Sequence, residues 1–216
     1  MKLAILTYDH SHRKTQDLLF GLLAKGHKDI LLIGYPYEQR SHKPLYPHRP
    51  NSCLPLNAKG LAETFGVDYA GITQYRELRF DVDYYLICGA GIIGHIPDKP
   101  IINSHPGYLP NVRGLDALKW AIYYDTIIGV TVHQISKAVD SGQLIKREEI
   151  IPEPAESFYH FAMRQYHMEI EMLVDYFAYK PFDDTKLIYT DHYVLDLPQK
   201  RMSHAQEIMM RKRFNK

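Results

Sequence analysis

The sequence predicts an α/β fold: a Rossmann-like, mostly parallel sheet flanked by helices, with a short C-terminal appendage made of a hairpin and a helix. Three observations carry this expectation. Short aliphatic runs at Leu3–Thr7, Asp29–Gly34, Asp83–Cys88 and Ile101–Ile102 read as buried strands. Segments with helical spacing and recognisable ends lie between several of them. The run at Ile101 leads directly into Asn103 and His105, and open α/β sheets present such groups to ligands at the carboxyl ends of their strands.

Bulk properties agree with a soluble globular chain. The 216 residues can bury a substantial core, 45% are hydrophobic, and the formal net charge is +1. That balance offers no general field for nucleic acid or a membrane surface, so neither is expected as a partner. Met1–Leu6 is too short for a signal peptide, and no apolar run reaches bilayer length. Cys53 and Cys88 stand far apart, so a disulfide framework is not expected and a cytoplasmic location is. The 17 tyrosines exceed what a core needs, which points to a pocket or interface lined by some of them.

In chain order, Leu3–Thr7 is the first strand. A helix follows, with Ser11 or Thr15 as its cap and Gly26 at its end. Between them His10, His12, Arg13 and Lys14 offer cations and backbone N–H groups to an anion; the alternative is a solvated polar turn. No Gly-x-Gly or Walker pattern occurs there, and no metal is expected, since His10-x-His12 lacks further ligands at a zinc spacing. Asp29–Gly34 is the second strand. Tyr35–Pro55 is long and irregular, and its Tyr46 and Arg49 suit a nucleotide, a ring for the base and a cation for phosphate; a surface loop of polyproline character is the alternative. Asn57 caps a helix through Phe65 that Gly66 closes. A short strand near Tyr69–Ile72 and a turn over Gln74–Asp81 lead to the strand Asp83–Cys88.

Gly89-Ala90-Gly91-Ile92-Ile93-Gly94 is a flexible turn that permits close backbone approach. In the strand at 101–105, Asn103 and His105 are two residues apart and share a face; Pro106 then stops the ladder. A plain strand end with a satisfied histidine fits the residue types too. A helix is expected from Leu115 or Asp116 to about Tyr124, with Asp116 favourable at its N-terminus and Trp120 and Ala121 against the sheet. Ile127–Ile135 and Gln143–Ile150 read as strands, with Thr131 and His133 on one face and His133 in a structural role. Pro154 suits the first turn of a long helix whose Phe158, Ala162, Tyr166, Ile170, Leu173 and Phe177 form an apolar stripe. Lys180–Pro181 stops it. Leu187–Thr190 and Tyr193–Leu197 are expected to pair as a hairpin, and Ser203-x-x-Gln206 to cap a last helix that docks on the domain or pairs two subunits in a homodimer.

Two blocks carry a family resemblance. Asn103-Ser104-His105-Pro106-Gly107-Tyr108-Leu109-Pro110 with Val112-Arg113-Gly114, then Gly129-Val130-Thr131-Val132-His133 with Asp140-Ser141-Gly142, resemble the signatures of the folate-dependent formyltransferases in order and spacing. The resemblance is close over about Tyr84–Ile150 and in outline elsewhere. It implies the formyltransferase fold, with a catalytic domain over 1–180 and the appendage over 181–216. It further implies N10-formyltetrahydrofolate as co-substrate and no metal. Asn103, His105 and Asp140 take the catalytic positions. Gly91, Ile92, Ile93, Val139 and Asp140 border the folate. His10, His12, Arg13, Lys14, Tyr46, Arg49, Tyr108 and Arg113 are the expected substrate-binding set.

The acceptor is narrowed by what is missing. The tRNA-modifying relatives carry an extra C-terminal barrel, for which about 65 residues after Ile150 leave no room. The purine-pathway relatives have a glycine-rich phosphate loop where this chain has His10–Lys14. What remains resembles the nucleotide-sugar N-formyltransferases, with a UDP-linked 4-amino-4,6-dideoxy sugar of a pseudaminic-type pathway as the expected class. A glycinamide ribonucleotide-type enzyme, a formyltetrahydrofolate hydrolase and a non-catalytic folate or sugar-nucleotide binder are the alternatives.

Overall fold

The computed structural model describes residues 1–37, 43–178 and 197–215. Among these, seven strands form one sheet: β1 (Leu3–Tyr8), β2 (Ile30–Tyr35), β3 (Asp68–Gly71), β4 (Tyr84–Ile87), β5 (Ile101–His105), β6 (Gly129–Ile135) and β7 (Gly142–Glu149), in the order β3-β2-β1-β4-β5-β6-β7. The first five run parallel, and β6 and β7 are antiparallel to their neighbours. The chain builds outward from β1 through β2 and β3, then returns to β1's other side as β4. That reversal opens a crevice beyond the carboxyl ends of β1 and β4, the place where ligands enter such sheets.

Among the described residues five α-helices accompany the sheet: α1 (Arg13–Ala24), α2 (Ala58–Phe65), α3 (Ala117–Tyr123), α4 (Phe158–Ala178) and α5 (His204–Phe214). Leu18, Leu19 and Leu22 of α1 and Tyr166, Leu173 and Phe177 of α4 cover one face of the sheet, against Leu3, Ile5, Ile102 and Val132. The opposite face is closed by Ile72, Leu78, Val82, Tyr85 and Ile93. The whole α4 stripe expected from its spacing is buried. Asn57 accepts the Gly60 N–H at 2.9 Å, and Gly66 ends α2 at φ 65°.

Several expected details differ. Neither Ser11 nor Thr15 caps α1. His12 stands at the cap position, and the Thr15 hydroxyl bonds Thr7 of β1 and His12 Nδ1, fastening the helix to the strand. Pro154 lies outside α4: Ala155 adopts φ 61°, which breaks the helical path, and the Ser157 hydroxyl accepts the His160 N–H at the true start. Asp116 stands at the N-cap of α3 with φ 53°, but its side chain makes no capping hydrogen bond. Its carboxylate accepts the Met202 N–H at 3.0 Å and Arg201 Nη1 at 3.1 Å. Trp120 and Ala121 pack not on the sheet but with Phe158, Phe161, Met202 and Met210, in a third cluster formed by α3, α4 and α5. Helix α5 therefore docks on the domain; its capping box is present at Ser203 and Gln206, and a fully buried Lys119–Glu207 pair at 3.0 Å ties it to α3. The expected Lys180–Pro181 stop and, apart from Leu197, the hairpin over 187–197 lie outside the described residues.

Candidate active site

A cleft of about 800 Å³ opens at the carboxyl edge, within the size range of small-molecule sites. The β5 alternation determines which side chains reach it. Ile102 and Ser104 turn toward α1 and α4, where the Ser104 hydroxyl donates to the Glu169 carbonyl at 2.8 Å. Ile101 packs on the other face, and Asn103 and His105 share its side of the strand and line the cleft.

His105 is nearly inaccessible, at 3% exposure. Its Nε2 donates to the Val112 carbonyl at 3.0 Å, so Nδ1 is the nitrogen that meets Asp140, 3.4 Å from Oδ1. Asp140 sits at φ 46°, and its Oδ2 accepts the Gly114 N–H at 2.6 Å. Gly114 itself has φ 91°, and a Cβ there would lie 2.3 Å from the Gln199 carbonyl oxygen. Gln199 runs beside the loop as a bridge: its N–H donates to Arg113 O and its carbonyl accepts Leu115 N–H, both at 2.8 Å. One backbone segment is thus held between Asp140 on one side and Gln199 on the other.

Asn103 Nδ2 lies 3.1 Å from His133 Nε2. Burial, together with nearby His105, pushes the His133 ring down to about 4, so it is neutral at physiological pH and its Nε2 accepts from the amide. This uses one amide hydrogen and leaves the second for the cleft. Thr131 fixes the signature loop from below, accepting Leu109 N–H at 3.0 Å and donating to Gly107 O at 2.8 Å. Gln165 of α4 and Arg147 of β7 hold Pro106 O and Leu109 O.

Beyond Ser104 the cleft reaches a charged cluster. Glu169, 1% exposed, takes Lys14 on one oxygen at 2.5 Å and Arg49 on the other. Burial alone would raise its pKa, but Arg49 and Lys14 together hold it below the usual carboxylate value. His12, partly buried and beside Lys14, is lowered to about 4. His48 is driven well below its ordinary value, by burial first and then by Arg49, Lys119 and Arg201. Arg49 belongs to a segment anchored along its length: Tyr46 N–H to Glu207 of α5, Arg49 to Glu169 of α4, and Leu54 through two 2.9 Å bonds to Gln16 of α1.

The structure thus brings Asn103, His105, Asp140, Val139, Gly91, Ile92, Ile93, His12, Arg13, Lys14 and Arg49 to one cleft. Four expected residues lie outside its lining. His10 stacks on Tyr8 and packs against Tyr37. Tyr46 packs on Phe158, Tyr108 lies under the Arg147 guanidinium, and Arg113 is buried with Nη1 on Val139 O at 3.3 Å. Conversely, Glu169, Gln199 and Arg201 line the cleft without being among the expected site residues, and His48 lines it from within the segment expected to meet a nucleotide. Glu169 left a trace, a carboxylate beside Tyr166 and Ile170 of the apolar stripe. Gln199 and Arg201 left none, since only tertiary pairing brings them to Gly114 and Asp116. Among the described residues no cluster of three or more His, Cys, Asp or Glu is placed to hold a metal ion, and no helix is long and apolar enough to cross a membrane.

The open α/β sheet thus gathers an amide, an imidazole and a carboxylate at one cleft beyond its carboxyl edge. Residues 64–176 match the formyl transferase family, and the chain belongs to that family. It is 27% identical over 190 residues to the methionyl-tRNA formyltransferase of Thermotoga maritima, covering 82% of this chain and 58% of that relative. The chain spans 27% of the Coprothermobacter proteolyticus methionyl-tRNA formyltransferase, to which it is 30% identical over 82 residues. Among solved structures it resembles the glycinamide ribonucleotide transformylase 1 of Symbiobacterium toebii (TM-score 0.61, 18% identity, 88% of this chain and 94% of that one). It also resembles a 4-N formyltransferase from Francisella tularensis (TM-score 0.58, 16% identity, 98% and 87%). These likenesses show the fold.

Proposed function

We propose that this protein transfers a formyl group from N10-formyltetrahydrofolate to the amino group of a nucleotide-linked amino deoxysugar, with a UDP-linked 4-amino-4,6-dideoxy sugar as the expected class. The observation that carries the reading is the meeting of Asn103, His105 and Asp140 in one cleft of sufficient size. The co-substrate supplies an activated formyl carbon. The free Asn103 amide hydrogen is aimed at the oxygen on which negative charge develops, a contribution of about 3 kcal/mol for one well-placed donor. His105, its Nε2–H held by Val112, works through Nδ1: as neutral imidazole it takes a proton from the attacking amine as the new C–N bond forms, and as imidazolium it gives that proton to N10 of tetrahydrofolate as the C–N10 bond breaks. Asp140 orients that ring and stabilises its charge, with Oδ2 kept in place by Gly114.

The backbone of Gly91–Ile93 and Val139 borders the folate, and Ile92, 77% exposed, is available to cover its ring. The acceptor lies toward His12, Arg13, Lys14 and Arg49. Five Lys and Arg residues face three Asp and Glu in the lining, which favours an anionic ligand such as a nucleotide. The catalytic unit is assigned to 1–180, with Pro198, Gln199 and Arg201 of the appendage on one wall, and the reaction to the cytoplasm. Absence of glycine from His10–Lys14 argues against the purine-pathway substrate.

The test is a transfer assay with 10-formyltetrahydrofolate, amino-sugar nucleotides on UDP and dTDP, glycinamide ribonucleotide, and a water-only control. A formamide product on an amino-sugar nucleotide is expected. Turnover confined to glycinamide ribonucleotide, or to water, overturns the reading.

A further inference from the structure

Two buried nitrogens on the wall of the cleft lack a hydrogen-bond partner among the described residues: Nδ1 of His48 and Nε of Arg201. Both lie just beneath the cleft surface and mark a wall whose polar groups the protein leaves unsatisfied. The two residues gather at the same acceptor. Asp116 Oδ1 lies 3.1 Å from Arg201 Nη1 and 3.8 Å from His48 Nε2, and Asp116 is itself buried. Arg49 follows His48 in the chain and reaches the cleft with its guanidinium held by Glu169. Each Arg is tied by one carboxylate yet remains about a third exposed toward the opening, at 33% and 35%. They are positioned but not enclosed.

This wall stands on the α1, α4 and α3 side of the sheet edge. The Gly91–Ile93 loop, assigned above to the folate, packs through Ile93 on the opposite face. A planar guanidinium pair with a neutral imidazole suits tetrahedral oxyanions, because each fork offers two parallel donors and the ring adds one.

We propose that Arg201, Arg49 and His48 form the subsite for the phosphate groups of the acceptor substrate. This deepens the reading of the acceptor as a nucleotide sugar and rests on it. His48, Arg49 and Arg201 all lie outside residues 64–176 that match the family, and Arg201 comes from the segment that pairs with Gly114 and carries Met202 to Asp116. Asp116 is a positioning residue: it aims Arg201 and keeps His48 alongside.

The experiment measures binding of UDP, dTDP, glycinamide ribonucleotide and tetrahydrofolate by titration calorimetry to the full chain and to Arg201→Gln and Arg201→Lys. Gln retains a donor for Asp116 without the charge, and Lys retains the charge without the fork. Far-UV circular dichroism and the melting midpoint establish that each variant is folded. Expected is a ten-fold or greater loss of phosphate-ligand affinity in Arg201→Gln, a smaller loss in Arg201→Lys, and tetrahydrofolate affinity within two-fold of wild type. Equal phosphate affinity in wild type and Arg201→Gln overturns the subsite. So does a loss as large for tetrahydrofolate, which would place the guanidinium on the folate's carboxylate tail. If the wild type binds glycinamide ribonucleotide and neither nucleoside diphosphate, the nucleotide-sugar reading fails. The subsite then stands only if Arg201→Gln weakens glycinamide ribonucleotide by the same factor, and falls if it does not.

Discussion

Gly114 donates its N–H to one oxygen of Asp140 at 2.6 Å, and the other oxygen of that carboxylate faces His105. A backbone amide in the signature loop therefore sets the angle of a side chain 26 residues away. Gly114→Ala is expected to disturb both partners, since its Cβ would strike Gln199 and its φ of 91° disfavours any side chain. The cost is about 2 kcal/mol or more. Urea unfolding should register it, and kcat should fall further than the stability loss explains; unchanged kcat in the folded fraction would show that Asp140 needs no such anchor.

Asn103→Ala is expected to lower kcat by about 10²–10³ while affecting substrate affinity little, because the amide acts on charge that develops during the reaction. Asp140→Asn retains an acceptor for Gly114 and removes the negative charge beside His105, and its kcat should drop by about 10²–10⁴. Steady-state kinetics with both substrates varied decides both cases. A pure KM effect in either variant contradicts the assigned role.

Glu169 is a buried carboxylate whose pKa lies below its unfolded value because Arg49 and Lys14 outweigh the effect of burial. A group lowered in this way contributes stability above the unfolded value near 4.5 and loses it as pH falls through the folded value. Glu169→Gln should leave two cations facing a neutral amide and cost about 3–5 kcal/mol at neutral pH. Its stability should also fall less steeply than that of wild type below pH 4.5, which denaturant titration across pH can measure.

His12 and His133 are held neutral, each at about 4, and His48 is lowered as well, in all three cases first by burial. Between an unfolded value of 6.5 and the folded values, the unfolded chain binds more protons, so stability falls as the solution is acidified through that window. The slope should approach about 1.4 kcal/mol per pH unit for each histidine. His48→Gln should reduce the slope by one proton. An identical slope would show that His48 is not kept neutral in the native state.

Lys119 and Glu207 are both fully buried and face each other at 3.0 Å. Lys119→Met should cost about 3–5 kcal/mol by stranding the carboxylate. Lys119→Met combined with Glu207→Gln should recover much of this, since the amide oxygen can still accept the Tyr46 N–H. Chemical denaturation of the single and double variants supplies the comparison.

The parallel strands were legible because Leu3–Thr7 and Asp29–Gly34 are continuous aliphatic runs, and the α4 stripe because its period is helical. The positions of Asn103 and His105 followed from the alternation of a strand. Local rules failed where a side chain had a partner outside its own helix or the backbone left the helical path. Thr15 resembled a cap but joins Thr7, Asp116 resembled a dipole partner but holds Met202, and Pro154 was cut off from α4 by Ala155. Glu169 reaches its partners Arg49 and Lys14 across 120 and 155 residues, and Arg201 reaches Asp116 across 85; for Gln199 and Arg201 no spacing in the sequence encodes such a meeting.

The segment around Arg49 is anchored to α1, α4 and α5 by Gln16, Glu169 and Glu207. Anyone transplanting it between relatives to change the acceptor must move those three anchor residues along with it. A loop exchanged alone would arrive with its guanidinium unmoored, and a chimera of that kind should lose discrimination before it gains a new preference.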